Sequence, residues 1–263
     1  MSVLFLFLQH FRSESIPHFP RIGNDISYPY CRKPYPIMQG FGIVGVNGGT
    51  AVTTNPCLAD ELYYAGQSLN SLQQVKTQLY VNTGNPSGDT PYWPITNIDP
   101  LGTIVPNPYG TCDGSNSVAC SWQYGWNRAV DDIDNKFIPG ATAAGADVIP
   151  SDYLWWLDVE TKNSWESGPS NGLAQNRAVL EGMVSAIHAN GITVGIYASD
   201  YQWNLIVGDI PSNSNLNGLN NWRPGATNLE DAQSNCSLTP ITTNGTVTMT
   251  QYTTNVDIDY QCY

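Results

Sequence analysis

Leu154-Trp155-Trp156-Leu157-Asp158-Val159-Glu160 is an apolar run that ends in two acids. A short run of this kind predicts a buried strand. Side chains alternate along a strand, so Asp158 and Glu160 share a face, about 6.6 Å apart at roughly 3.3 Å per residue. Neighbouring carboxylates in a buried setting repel each other and lose hydration. That raises at least one pKa and leaves a protonated acid beside an ionised one near neutral pH, which is equipment for cleaving a glycosidic bond. An isolated Asp-x-Glu fits a helix cap or an arginine partner equally well. Here Trp155 and Trp156 precede the pair, and Thr161, Asn163, Ser164 and Trp165 follow it. An aromatic wall beside polar groups suits a sugar ring, which has apolar faces and a hydroxyl-bearing edge.

Outward from this run, strand-like and helix-like segments alternate after residue 20, predicting an α/β fold with a mostly parallel sheet. Strands are expected over 22–28, 40–47, 77–82, 155–160, 192–198, near Trp222, 247–252 and 255–260. Helices are expected over 57–68, 124–144, 173–190 and 201–207, with Gly191 as a C-terminal cap. Trp126, Ala129, Val130, Ile133 and Phe137 form the apolar stripe of the second helix. Residues 83–121, rich in Pro, Gly, Asn and Asp, read as a long loop, a feature more often functional or disulfide-anchored than idle. Asp25, Asn47, Asn82, Glu160, Ser199 and Asp257 fall at or just past expected strand ends, where barrels of parallel strands build their sites.

The chain has 263 residues, 41% of them hydrophobic, enough for one large core. Charged residues make up only 12% and the net charge is −12, with a pI near 4.3. So acidic a surface repels polyanions and excludes nucleic acid as a partner. There is no Gly-x-Ser-x-Gly elbow, and His10, His18 and His188 lie away from the strand ends, which argues against a nucleophilic triad. Cys31, Cys57, Cys112, Cys120, Cys236 and Cys262 form an even set without Cys-x-x-Cys spacing. Three disulfides are the simplest reading. Fifteen pairings are open, and loop closure favours neighbours: Cys31–Cys57, Cys112–Cys120 and Cys236–Cys262. A secreted protein in an oxidising compartment follows. The apolar run from Val3 to Leu8 is shorter than a signal-peptide core and far too short to span a membrane. Residues 1–20 are expected to attach poorly to the fold, leaving 21–263 as one domain. Asn235-Cys-Ser and Asn244-Gly-Thr match the glycosylation sequon.

With these residues in place, the chain resembles the lysozyme-type muramidases of glycoside hydrolase family 25 and their secreted, often bacterial relatives. Gly23-Asn24-Asp25-Ile26-Ser27 is similar to the family's first-strand Asp-x-Ser, and Leu157-Asp158-Val159-Glu160 to its central Asp-x-Glu. Gly195-Ile196-Tyr197-Ala198-Ser199 is similar to a later Tyr-bearing strand, and Gln251-Tyr252 with Val256-Asp257-Ile258-Asp259 to the closing segment. The resemblance departs at Val46-Asn47-Gly48-Gly49, where many members carry Lys and Glu, and at Leu79-Tyr80-Val81-Asn82-Thr83, where many carry an aromatic and a histidine.

The resemblance implies an irregular TIM-type β/α barrel, a single domain with disulfides, acting as a monomer on a cell-wall or N-acetylhexosamine-containing glycan without a cofactor or metal. It implies Glu160 as general acid, Asp158 as second central carboxylate, and Asp25 and Asp257 as flanking acids, with Asp259 the rival for the last role. Asn47, Asn82, Trp165, Tyr197 and Tyr252 are the substrate-binding candidates. Two rival readings stand beside this one: a glycan-binding barrel without turnover, and a carboxylate cluster holding Mg²⁺ or Ca²⁺.

Overall fold

The computed structural model describes residues 21–36, 40–69, 77–167 and 172–263. The expectation for residues 1–20, and with it His10 and His18, lies outside the described residues. Eight strands close into a barrel in chain order: β1 (Ile22–Ile26), β2 (Phe41–Gly45), β3 (Thr77–Asn82), β4 (Leu154–Asp158), β5 (Thr193–Tyr197), β6 (Asn220–Ala226), β7 (Thr246–Thr253) and β8 (Asp257–Gln261). From β1 to β7 every neighbouring pair is parallel. β8 alone runs antiparallel, to both β7 and β1. Its direction follows from its link: the chain turns between Thr253 and Asp257, with the Thr254 N–H donating to the Val256 carbonyl at 3.0 Å. A parallel return needs a crossover of about a dozen residues or more, so this short link can only make a hairpin. Asp257 therefore opens a strand instead of ending one, and still sits at the mouth where the parallel strands finish.

Outside the barrel lie α1 (Leu58–Gly66), α2 (Val118–Asp131), α3 (Ile138–Ala144), α4 (Gly172–Ala189), α5 (Asp200–Ile206) and α6 (Leu229–Asn235). The expected helix over 124–144 begins earlier, at Val118, because the Ser117 hydroxyl accepts from the Cys120 N–H and caps the first turn. It passes through a π-helical stretch, Asp132–Phe137, into α3, and stops at Gly145, whose φ of 64° is left-handed. Ser199, expected at a strand end, serves as the N-cap of α5 in a reciprocal pair with Gln202. Among the described residues no helix is long and apolar enough to cross a membrane. The disulfides are Cys31–Cys57, Cys112–Cys120 and Cys236–Cys262, the neighbour pairing that loop closure favours.

Alternation on β4 sorts the core into two layers. Trp155 and Leu157 face outward into the layer between barrel and helices, with Phe137, Leu180 and Val184. Trp156 points into the barrel, where Phe41, Ile43, Trp222 and Met249 surround it. Its indole N–H donates to the Gln78 Oε1 at 2.8 Å, so the one polar atom of this plug is satisfied. Room for the ring comes from Gly195, where a Cβ would stand 2.3 Å from Trp156. Each such buried aromatic contributes roughly 1.5–3 kcal/mol and also dries the space beneath the mouth. Trp155 and Trp156 are thus core, not the sugar-facing wall their position in the sequence suggests.

Candidate active site

Asp158 stands one alternation above Trp156 on β4, so it points into the mouth directly over the aromatic plug. Asp25 on β1, Asn82 at the end of β3, Tyr197 at the end of β5 and Asp257 at the start of β8 reach the same space, as does Glu160 just past β4. Together they line a cleft of about 470 Å³. The strand ends fix these groups through the backbone. The Asp158 carbonyl accepts from the Thr83 hydroxyl at 2.6 Å, and the Tyr197 carbonyl from the Val159 N–H at 2.9 Å. Asn24 Nδ2 donates to the Asp257 carbonyl at 3.1 Å and holds the start of β8 against β1.

Three of the substrate-binding candidates lie outside this cleft. Asn47 is fully buried: its Nδ2 donates to the Asn82 carbonyl at 3.0 Å, and its Oδ1 accepts from the Asn82 N–H and Nδ2, each at 2.9 Å. It sets the position of Asn82 and, fully buried, does not reach the cleft. Trp165 is turned away by its indole N–H, which donates to the Glu160 carbonyl at 2.8 Å, and it lines a separate hollow with Leu173 and Leu205. Tyr252 is out of phase, because on β7 it is Gln251 that shares the inward face with Met249. Alternation from Met249 could have selected Gln251 in the sequence. The aromatic walls are Tyr28, Tyr30, Tyr80, Tyr197 and Trp222. Of these, only Tyr197 stood among the expected site residues.

Electrostatically the acids differ. Asp158 is raised well above the ordinary carboxylate range by desolvation, then by the charges of Glu160 and Asp25, with Lys162 opposing. Its Oδ1 is buried with no hydrogen-bond partner. Asp25 is pushed up to about 7 by desolvation and then by the charge of Asp257, against hydrogen bonds from Gln251 and Asp259. Gln251 Nε2 donates to Asp25 Oδ2 at 2.8 Å while Gln251 Oε1 accepts from the Tyr197 hydroxyl at 2.8 Å. Asp259 is fully buried behind Asp25 and raised well above its ordinary value by desolvation, then by Asp25 and Asp257. A hydrogen bond from the Trp222 indole favours its ionised form but does not outweigh burial, and as a neutral acid it can donate to Asp25. Glu160 is more open, with 18% of its side chain exposed, and its Oε2 is 2.6 Å from the Lys162 ammonium. The lysine itself is 72% exposed, so the pair is not sealed from solvent. His188 lies exposed in the last turn of α4, away from the cleft. Among the described residues no group of three or more His, Cys, Asp or Glu converges as a metal site.

Residues 151–233 match a family model described as Lysozyme-like protein 1. This segment carries Asp158, Glu160 and Tyr197, while Asp25 and Asp257 lie outside it. Lysozyme-like protein 5 of Caenorhabditis elegans is 47% identical over 53 residues, which is 20% of this chain and 22% of that protein. The chain thus matches about a fifth of the length of that curated relative. Among solved structures, the spore cortex lytic enzyme SleM of Clostridium perfringens superposes with a TM-score of 0.54 at 15% identity, covering 94% of this chain and 68% of that one. A muramidase from Acremonium alcalophilum does so with a TM-score of 0.50 at 15% identity, covering 91% and 92%. At this identity the likeness is one of fold. The resemblance read from the motifs extends to a closed eight-stranded TIM-type barrel.

Proposed function

We propose that the chain is a secreted, lysozyme-like glycoside hydrolase that cleaves a cell-wall or other N-acetylhexosamine-containing glycan, with Glu160 as general acid. The observation that carries this reading is the meeting of Asp25, Asp158, Glu160 and Asp257, from both ends and the middle of the chain, in one open cleft with aromatic walls. Sugars are bound by stacking on such walls and by hydrogen bonds from convergent polar groups, here Asn82 and Gln251. Three disulfides suit an oxidising, extracellular setting.

Asp158 holds its proton well above the ordinary carboxylate range, because it is buried and faces the charge of Glu160. With one proton between them, Glu160 is the member that can reach the scissile bond, because Asp158 is buried at the base. In the general-acid step the Glu160 proton passes to the glycosidic oxygen as the C1–O bond breaks. Asp158, then ionised, stabilises the positive charge on the sugar ring or orients a 2-acetamido group for internal attack. Asp25 and Asp257 flank the pair and hold its local potential negative.

The test is incubation with purified peptidoglycan and with other N-acetylhexosamine polymers, followed by mass analysis of the products. Glu160→Gln should keep the fold and lower kcat by about 10²–10⁴. Wild-type hydrolysis by that variant would remove Glu160 from the role. The ion pair between Glu160 and Lys162 favours a second reading, a barrel that binds glycan without turnover. Saturable binding with no new reducing ends would support it over the first.

A further inference from the structure

The turn after β4 carries Lys162, which the sequence analysis did not single out. The Glu160 carbonyl pins this turn by accepting from the Asn163 N–H at 3.1 Å and the Trp165 indole at 2.8 Å. Lys162 is therefore anchored at its backbone while its long stem stays free in solvent. It stands where the acidic cleft meets a second hollow of about 530 Å³, bounded by Thr50, Thr83, Asp89 and Tyr124, and it lines both. Among the described residues no other Lys, Arg or His lines either space. The two hollows are neighbours that share Tyr28, Gly49 and this lysine in their walls.

We propose that Lys162 is a positioning and specificity residue: it holds Glu160 as a carboxylate in the free protein and swings to a carboxylate borne by the glycan in the second hollow. This inference rests on the glycosidase reading above. Paired with an ammonium at 2.6 Å, Glu160 is a carboxylate with no proton to give, while Asp158, raised well above its ordinary range by burial, keeps its own. When the ammonium moves to the substrate, that proton passes from Asp158 to Glu160. The acid is then loaded, Asp158 is left ionised, and no proton is gained or lost overall. The exchange trades one ammonium–carboxylate contact for another, and it starts from a lysine side chain that is already 72% exposed. Desolvation lowers the pKa of Lys162, but the hydrogen bond and charge of Glu160 outweigh it and raise the value, so the ammonium stays charged through neutral pH. The ligand class follows from the charge: a glycan carrying carboxylates along its chain, distinguished from a neutral polymer of the same sugars.

The experiment compares peptidoglycan glycan strands with the same strands after their carboxylates have been converted to amides. Wild-type protein should cleave the free acid with kcat/KM about tenfold above the amide, the worth of one charge-assisted hydrogen bond. Lys162→Gln should bring that ratio to about one and Lys162→Arg should restore much of it, since the guanidinium keeps the charge. The pH profile of kcat on the amide should also change in Lys162→Gln, a readout that a merely structural lysine would not move. An exposed residue leaves the fold intact on substitution, which the melting temperature checks. Equal discrimination in wild type and Lys162→Gln, or none in wild type, would overturn this proposal alone. Failure to cleave either strand would overturn the glycosidase reading and this proposal with it.

Discussion

Asp257 and Asp259 occupy successive inward positions on one strand, and the difference between them is depth. Asp257 reaches the cleft and its Oδ1 accepts from the Thr253 hydroxyl at 2.8 Å. Asp259 pairs with Gly23 in register, is sealed from solvent, and meets Asp25 as a neutral acid. A neutral hydroxyl donor can be replaced by the NH₂ of asparagine, whereas a cleft-facing carboxylate cannot. Asp259→Asn should therefore keep kcat/KM within about threefold, and Asp257→Asn should lose at least about tenfold, or ~1.4 kcal/mol of transition-state stabilisation. The sign of the stability effect follows from linkage. A carboxyl raised in the folded state costs stability once pH exceeds its unfolded value of 3.8, so Asp259→Asn should raise Tm at pH 8 and leave it unchanged near pH 3. Loss of activity in Asp259→Asn alone would transfer the flanking role to that residue.

At the scale of elements, legibility tracked how much of the apolar pattern each segment displays. β3 occupies 77–82 as expected, since Leu79 and Val81 are buried on one face while Gln78 and Asn82 face the barrel. α6 was missed because Leu229-Glu-Asp-Ala-Gln-Ser-Asn buries only Ala232 and so shows no stripe. The start of α2 was missed because Cys120 and its neighbours read as disulfide-anchored loop, although Ser117 carried the cap signal. In the candidate site, the meeting of the four acids in one cleft was legible through motif order. Tyr252, Asn47 and Trp165 were misplaced because strand phase and two side-chain hydrogen bonds, which depend on long-range geometry, decide which way each one turns. Packing of α2 on α4 is also written in glycines: a Cβ at Gly125 would stand 1.9 Å from the Val179 carbonyl oxygen, and one at Gly182 2.0 Å from that of Trp122. On a free helix Gly→Ala stabilises by about 1 kcal/mol. Here the methyl meets backbone, and Gly182→Ala should instead cost about 1–3 kcal/mol as an overpacked contact. A thermal melt decides the sign: a Tm equal to or above wild type would mean that the two helices do not approach this closely.

At the scale of the whole molecule, among the described residues, carboxyls held above their ordinary range outnumber those held below it, and this sets the pH dependence of stability. Desolvation is the leading cause at Asp25, pushed up to about 7, at Glu61, also pushed up to about 7, and at Asp158 and Asp259. Glu61 is a buried helix residue that does not line the cleft; its Oε2 accepts from Asn55 Nδ2 at 2.6 Å while Oε1 has no partner. Between about pH 4 and 7 the unfolded chain has released these protons and the folded chain retains them, so stability falls as pH rises. Asp131, lowered despite desolvation by Asn135 and Lys136, opposes this, as does the exposed Asp113, lowered by hydrogen bonds from Ser115, but they are fewer. The net charge of −12 at pH 7 acts in the same direction as the raised acids, through self-repulsion. Calorimetry at constant ionic strength should find Tm higher at pH 5 than at pH 8 by at least about 5 °C, the effect of roughly 2 kcal/mol in a domain of this size. Glu61→Gln, which keeps an oxygen for Asn55 and cannot ionise, should raise Tm at pH 8 and flatten the slope without touching the cleft. A Tm that climbs from pH 5 to pH 8 would mean that these carboxyls are ionised and paired in the folded protein, and the account of a dry barrel floor beneath the acids would fail with it.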